Sequence, residues 1–381
     1  MTLIFTDGFE TYANINDMAA RYTNRVASAA GNGSTPVASL TFPAGRFGLG
    51  TALRLQSSAS STSGGWSTQM TVDAPLPTDY QTLFVGFAFQ LGSVGTSNAA
   101  QVWLVDANNT VNIDVRYTSS PTLYLTRAGT TLCTAPKAFN TGAWTYVEIA
   151  ANISSTAGWC ELWQDGLKVA SYYGTGSTRA TANGNTQNGL ASVRTIRVGN
   201  TASGGTGTSG SFDTYFDDFY VCSSAGARNN DVLGDLRIAT LLPTGASTDG
   251  AGHTQFTRGG SSPAATNWQS VDEATYNQDV DYVADNTIGH VDTYAYADLP
   301  AAANVVLGVV AQPVARKDDA GMRQIQAVVR QGGTDAYSAG VQNLTANYIA
   351  GQLVMETNPV TGLPWTVSDV NADEFGVRIS A

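Results

Sequence analysis

The chain has 381 residues, enough for two domains at roughly 100 to 200 residues each. Hydrophobic residues make up 43% and charged residues only 13%, and 40 glycines are interspersed with Ser, Thr and Asn, which is a β-rich, turn-rich composition. A net charge of −11 with 19 scattered basic residues leaves no patch to neutralise phosphates, which excludes nucleic acid, and no apolar run approaches the roughly 20 residues needed for membrane insertion.

The first stretch, "MTLIFTDGFETY", contains Asp7 and lacks the basic region and long apolar segment of a secretion signal. The chain is therefore expected to be soluble and made in the cytoplasm. A strand pattern begins at "ALRL" (52–55). Trp66 follows in "SGGWST", bordering a loop, a placement from which an indole face stacks on a sugar ring; loop packing is the alternative. In "LFVGFAFQL" (83–91), Leu83, Val85, Phe87, Phe89 and Leu91 share one face by the period of two, which predicts a strand of a packed sheet. "VNIDVRY" (111–117) alternates more cleanly and predicts a strand with one face in water.

"QVWLVD", "TLYLTR", "WTYVEIAAN", "WCELWQD", "LKVASYY" and "VRTIRVGN" continue the series, separated by Gly, Ser, Asn and Pro clusters. Asp165-Gly166 is the strongest hairpin signal, because both central residues of the favoured two-residue turn need positive φ. Trp144 and Trp163 lie inside alternating strands and are expected in the core. In "GSFDTYFDDFYV" (210–221), alternation sends Asp217 and Asp218 to opposite faces. A catalytic acid and base must instead converge across one bond, with carboxyls roughly 5 to 10 Å apart.

After Cys222 the texture changes, and 223–232 reads as a linker between a first block, 1–222, and a second, 233–381. Strand patterns in the second block are "LGDLRIATL", "DVDYVAD", "HVDTYAYADL", "NVVLGVVAQPVAR", "MRQIQAVVRQ" and "AGQLVMET", closed by a helical turn near 366–373 and the strand "FGVRI". The Gly/Ser/Thr-rich stretch 243–266 predicts a long mobile loop. His253 in that loop and His290 read as surface histidines, and a Ser/His/Asp triad through His290 is the alternative left open. Cys133, Cys160 and Cys222 fit neither a disulfide framework nor a zinc pattern and read as buried hydrophobes, with Cys133 and Cys160 as candidate neighbours across strands. About a dozen short strands without a convincing helix argue for an all-β chain built of sandwiches.

"FTDGFETY", "PAGRFGLGTALRL", "GAWTYVEIAANI" with "WCELWQDGLKV", and "IRVGN" before "YFDDFYV" occur in that order over 1–222. The block so marked resembles the laminin-G and concanavalin-A-like jelly rolls. The resemblance implies an N-terminal concanavalin-like jelly-roll sandwich followed by a second, smaller β-sandwich domain. With "FGVRI" after "NPVTGLPWTV" in the second block, the chain is similar to bacteriophage virion structural proteins of the tail fibre, tail tip and capsid surface. That likeness implies a place in the virion, other virion proteins and further copies of itself as partners, and a host-surface glycan as an adhesion target. A free carbohydrate-binding, lectin-like module is the alternative. Glycan-degrading members of the concanavalin-like fold carry a Glu-x-Asp-x-x-Glu strand motif, which is absent here, and Glu148 and Glu161 stand apart, so the chain is expected not to be an enzyme. No cofactor is required, but some jelly rolls of this kind hold Ca²⁺ with carboxylates near the N-terminus and on the last strand, which here implies Asp7 with Asp217 or Asp218. The alternative is one solvated aspartate and one that accepts backbone amides.

Overall fold

The computed structural model describes residues 2–31, 37–48, 50–60, 66–93, 100–118, 120–204 and 209–381. The chain divides into two compact units, the first comprising Thr2–Phe9 with Ala13–Ile238 and the second Glu10–Tyr12 with Ala239–Ala381. The first unit contains β1 (Leu3–Asp7), β2 (Thr23–Gly31), β3 (Val37–Thr41), β4 (Leu53–Ser60), β5 (Trp66–Tyr80), β6 (Thr82–Ser93), β7 (Ala100–Val105) and β8 (Val111–Tyr117). It continues with β9 (Leu123–Arg127), β10 (Thr130–Thr134), β11 (Trp144–Asn152), β12 (Trp159–Gln164), β13 (Leu167–Tyr172), β14 (Val193–Gly204) and β15 (Ser209–Ser223). An eight-stranded sheet runs β13-β12-β11-β6-β15-β4-β3 with β1 added on β15, and a seven-stranded sheet runs β10-β9-β8-β7-β14-β5-β2. All their pairings are antiparallel, as hairpin-rich sequence with short turns requires.

Alternation builds the core of this sandwich. Val85, Phe87 and Phe89 of β6, Leu53 and Leu55 of β4, and Met70, Val72, Ile196, Val198, Ile113 and Val115 of the other sheet are all buried. Each such side chain contributes about 1.5–3 kcal/mol through removal from water. Phe216 packs on Phe87 and Phe89, and Phe219 on Phe5. Cys133 and Cys160 lie on opposite sheets rather than on neighbouring strands; hydrogen bonding to Cys133, with burial, holds the Cys160 thiol well above its ordinary range. All three cysteines are buried and none forms a disulfide.

Strict alternation fails at two informative places. β8 is expected to wet one face, yet Asn112 and Asp114 are buried there, Asn112 under the loop over residues 188–192 and Asp114 against Arg116 and Thr126. There Asn112 Oδ1 accepts the Asn188 and Gly189 amides, and its Nδ2 donates to the Leu190 and Ser192 carbonyls. In β15 the register shifts between Asp217 and Tyr220, with Asp218 at φ 49°, so a bulge interrupts the pleat within "YFDDFYV". The bulge restores Phe219 to the core after Phe216 and leaves both aspartates buried.

The segment from 223 to Ile238, read as linker and strand from sequence, packs with the first unit instead. Residues 231–238 form no strand and lie as a strap on side chains of the eight-stranded sheet. Glu148 Oε1 accepts the Leu233 and Gly234 amides at 2.9 and 2.8 Å and the Tyr220 hydroxyl at 2.5 Å. Asp218 Oδ1 accepts the Ile238 amide at 2.8 Å, and Arg46 and Arg179 grip Asp235 and Asp231 with paired N–H groups. Gly86 makes room for this. A Cβ there would sit 2.0 Å from Cε1 of Tyr220, the cross-strand partner whose ring lies over it.

The second unit contains β16 (Pro243–Ala246), β17 (Thr257–Gly259), β18 (Tyr282–Ala284), β19 (Val291–Tyr296), β20 (Val309–Ala311), β21 (Val314–Ala315), β22 (Gln324–Gln331) and β23 (Thr334–Tyr337). It ends with β24 (Gln342–Asn343), β25 (Ile349–Ala350), β26 (Leu353–Met355), α1 (Val367–Ala372) and β27 (Glu374–Ile379). A six-stranded sheet, β16-β19-β27-β22-β23 with β24 on β22, packs Ala327, Val329 and Phe375 against Leu353, Met355, Trp365 and Val370. The stretch 243–266 is not the long loop expected. It forms β16, a turn and β17, because buried Glu374 gathers Ser247 Oγ, the Thr248 amide and hydroxyl, and Thr293 Oγ1.

Candidate functional site

A pocket of about 360 Å³ opens at the β12–β13 end of the eight-stranded sheet, lined by Glu161, Trp163, Lys168, Tyr173, Ser177, Thr178, Arg179 and Ala180. The hairpin that carries it turns at Asp165-Gly166, with φ of 50° and 77° as the sequence predicts. Asp165 pins the turn by accepting the Tyr146 amide at 2.8 Å. Alternation along β12 buries Cys160 and Leu162 and places Glu161 and Trp163 together on the other face. The hairpin register sets Lys168 opposite Trp163. Arg179 arrives on a short 3₁₀ turn whose Thr178 hydroxyl accepts the Thr181 amide.

Glu161 organises the pocket. Its side chain is 2% exposed, and both oxygens are taken by protein donors. Oε1 accepts the Tyr173 hydroxyl at 2.5 Å, Arg179 Nε at 3.1 Å and Lys168 Nζ at 3.4 Å. Oε2 accepts Arg179 Nη2 at 2.6 Å and the Trp163 indole N–H at 3.1 Å. Burial alone would raise the carboxyl, but hydrogen bonds from Arg179 and Tyr173 and the guanidinium charge hold it below its ordinary value. Arg179 also lies 4.7 Å over the Trp159 ring and turns its outer edge to Asp231, with N–O distances of 2.8 and 2.9 Å. The Tyr173 hydrogen bond raises Lys168, whose ammonium stands 5.9 Å from the Trp163 ring centre. The arrangement is a half-exposed indole fixed in its plane by a buried acid, with an ammonium and a guanidinium beside it.

Sequence reasoning left Glu148 and Glu161 apart and assigned Trp163 and Trp144 to the core. The register Glu148↔Trp163 and Ala150↔Glu161 puts both acids on one face of adjacent strands. Trp163 lines the pocket, and Trp144 is half-buried against Tyr215. The Asp165-Gly166 turn and the alternation of β12 were the signal for Glu161, Trp163 and Lys168. Arg179 lay outside any pattern. Trp66 opens β5 opposite Gly204 and Gly31, and its side chain lies outside the described residues.

Asp7 Oδ1 accepts the Phe9 amide, and its Oδ2 accepts the Tyr22 hydroxyl at 2.8 Å with Arg21 Nη1 at 3.1 Å. Asp217 accepts the Arg46 and Asp218 amides at 2.7 and 2.8 Å. Asp218 holds the strap, with Arg46 Nη1 at 3.6 Å from its Oδ2, and burial above all raises its carboxyl to about 6. Among the described residues, no group of three or more His, Cys, Asp or Glu is placed to share a metal ion.

His253 is buried rather than on a mobile surface. Its Nδ1 lies 2.6 Å from Asp249 and its Nε2 2.6 Å from Asp335, which Arg330 also binds at 2.9 Å. His290 Nδ1 faces Asp285 at 2.9 Å.

No family model and no curated protein matches the chain. Solved structures similar to it include alginate lyase AlgAT5 from polysaccharide lyase family 7, at 10% identity and TM-score 0.32, over 45% of this chain and 78% of that one. Another, described with the endo-acting O-glycanases that human gut microbiota express to initiate mucin breakdown, gives 11% identity and TM-score 0.37 over 58% of this chain and 98% of that one. A third is Trypanosoma rangeli sialidase, at 7% identity and TM-score 0.28 over 45% of this chain and only 28% of the sialidase. Glycan-processing enzymes stand among these similar structures, so the expectation that the chain is not an enzyme is withdrawn; no activity and no residue role is taken from them. What these structures have in common with the sequence resemblance is a β-sandwich architecture, which the two sheets of the first unit themselves display.

Proposed function

We propose that the first unit engages glycans through the pocket at its β12–β13 rim. The observation that carries this is the Trp163 indole, held in one orientation by its N–H bond to buried Glu161 and bordered by Lys168, Tyr173 and Arg179. A sugar ring needs a flat apolar face together with fixed polar groups at its edge, and a platform already ordered in the free protein loses little entropy when the ring docks. The test is titration of the full chain with a panel of oligosaccharides by calorimetry, followed by analysis of each mixture for cleaved product. Trp163→Ala should weaken binding by about tenfold or more, the loss of one stacked aromatic, while the variant still unfolds cooperatively. Equal binding by the variant would remove this site from consideration.

On the likeness to virion structural proteins of a jelly-roll block followed by a second block with "FGVRI" after "NPVTGLPWTV", the proposal extends to a setting in which a phage particle displays this glycan-engaging unit. Purified particles probed with antibody against the chain test that part separately, and its absence from them would end it.

A further inference from the structure

We infer that the pocket selects acidic glycans, with Lys168 as the specificity-determining cation and Asp231, which occupies the Arg179 fork, as an intramolecular competitor of the ligand. The inference rests on the glycan reading of the same pocket. Its lining carries two cations, Lys168 and Arg179, against the single carboxylate of Glu161, in a chain whose overall charge is −11. Glu161 is saturated by protein donors and has no capacity left for a sugar hydroxyl. Lys168 differs. Its side chain is 42% exposed, and its ammonium donates to Tyr173 at 3.1 Å and over a long 3.4 Å to Glu161, which leaves a third N–H for the cavity. A neutral sugar gains little from that donor, whereas a carboxylate on the ring forms a charge-assisted bond with it.

Arg179 supports the same ligand class from the other side. Its inner edge is fixed by Glu161, and its outer fork is occupied by Asp231, a strap residue whose side chain is 52% exposed. A paired guanidinium fork is the geometry that binds a carboxylate in two places at once. The chain supplies that carboxylate itself, and its charge opposes an acidic ligand in the pocket. The long-range repulsion of the acidic surface is screened within about 10 Å at ordinary salt, so these local groups decide the preference.

The test uses a galacturonic acid tetramer and its methyl-esterified form, which share a backbone and differ in charge. The full chain should bind the acid about tenfold more tightly than the ester, one charge-assisted bond's worth, with an advantage that shrinks as salt rises. Lys168→Met should remove the preference, weakening binding of the acid far more than binding of the ester. Asp231→Asn should strengthen acid binding severalfold and leave the ester unchanged. Equal binding of acid and ester, or an unchanged preference in Lys168→Met, overturns the inference and leaves the glycan reading standing. If the tetramers and the neutral panel all fail to bind, the glycan reading falls and this inference falls with it.

Discussion

Gly86 shows how one missing side chain orders a distant surface, since Tyr220 lies over it and gives its hydroxyl to Glu148, 72 residues from Tyr220 in sequence. Gly86→Ala forces a Cβ into that ring, an overpacking cost of about 1–3 kcal/mol, and should lower the denaturant midpoint without changing the slope. An unchanged midpoint would mean that the Tyr220 ring has room to move. Asp218 makes a pH prediction. Burial raises its folded carboxyl from 3.8 to about 6, so the folded state holds this proton more tightly than the unfolded chain does. Its contribution is therefore greatest at low pH and is lost as pH rises from about 4 through 6. Asp218→Asn keeps an oxygen for the Ile238 amide and removes that loss, so its stability relative to the parent should improve between pH about 4 and about 7. A pH-independent difference would argue against the raised carboxyl.

The strap behaves as an element although it has no ladder of its own. Its hold comes from Glu148, Asp218, Arg46 and Arg179, all supplied by the first unit. A chain ending at Ile238 should therefore unfold cooperatively with the stability of the intact first unit. One ending at Ser223 takes the Leu233 and Gly234 amides from buried Glu148, the Ile238 amide from buried Asp218 and Asp235 from Arg46, at about 1–3 kcal/mol for each buried group left short of a partner. It should be much less stable or fail to fold, and equal stability of the two would show that the strap merely rests on the sheet. The same logic explains why the sequence misled here. "LGDLRIATL" has strand-like apolar spacing, but its partners are carboxylates and guanidiniums from distant positions, and no local pattern announces them.

At the scale of the molecule, the all-β class was legible because alternation is enforced wherever one side of a strand is buried, as at Leu53 and Leu55 of β4 with Arg54 and Gln56 facing out, and because Asp165-Gly166 specifies its own turn. What escaped was set by distant chain segments. Asn112 looked like a solvent-facing residue until the 188–192 loop covered it, and 243–266 looked unstructured because its organiser, Glu374, comes more than a hundred residues later. The pocket was half legible. Glu161, Trp163 and Lys168 follow from pleat and hairpin register, whereas Arg179 depends on a capped turn that follows β13. A last consequence follows from how Glu148 and Asp218 hold the strap. They bind main-chain amides at Leu233, Gly234 and Ile238, and every amino acid but one carries that donor. Genetic drift at Leu233 and Ile238 is thus filtered for hardly anything except proline, while Gly234, at φ 83°, favours glycine for its backbone alone, so most of the attachment can persist while its lettering diverges.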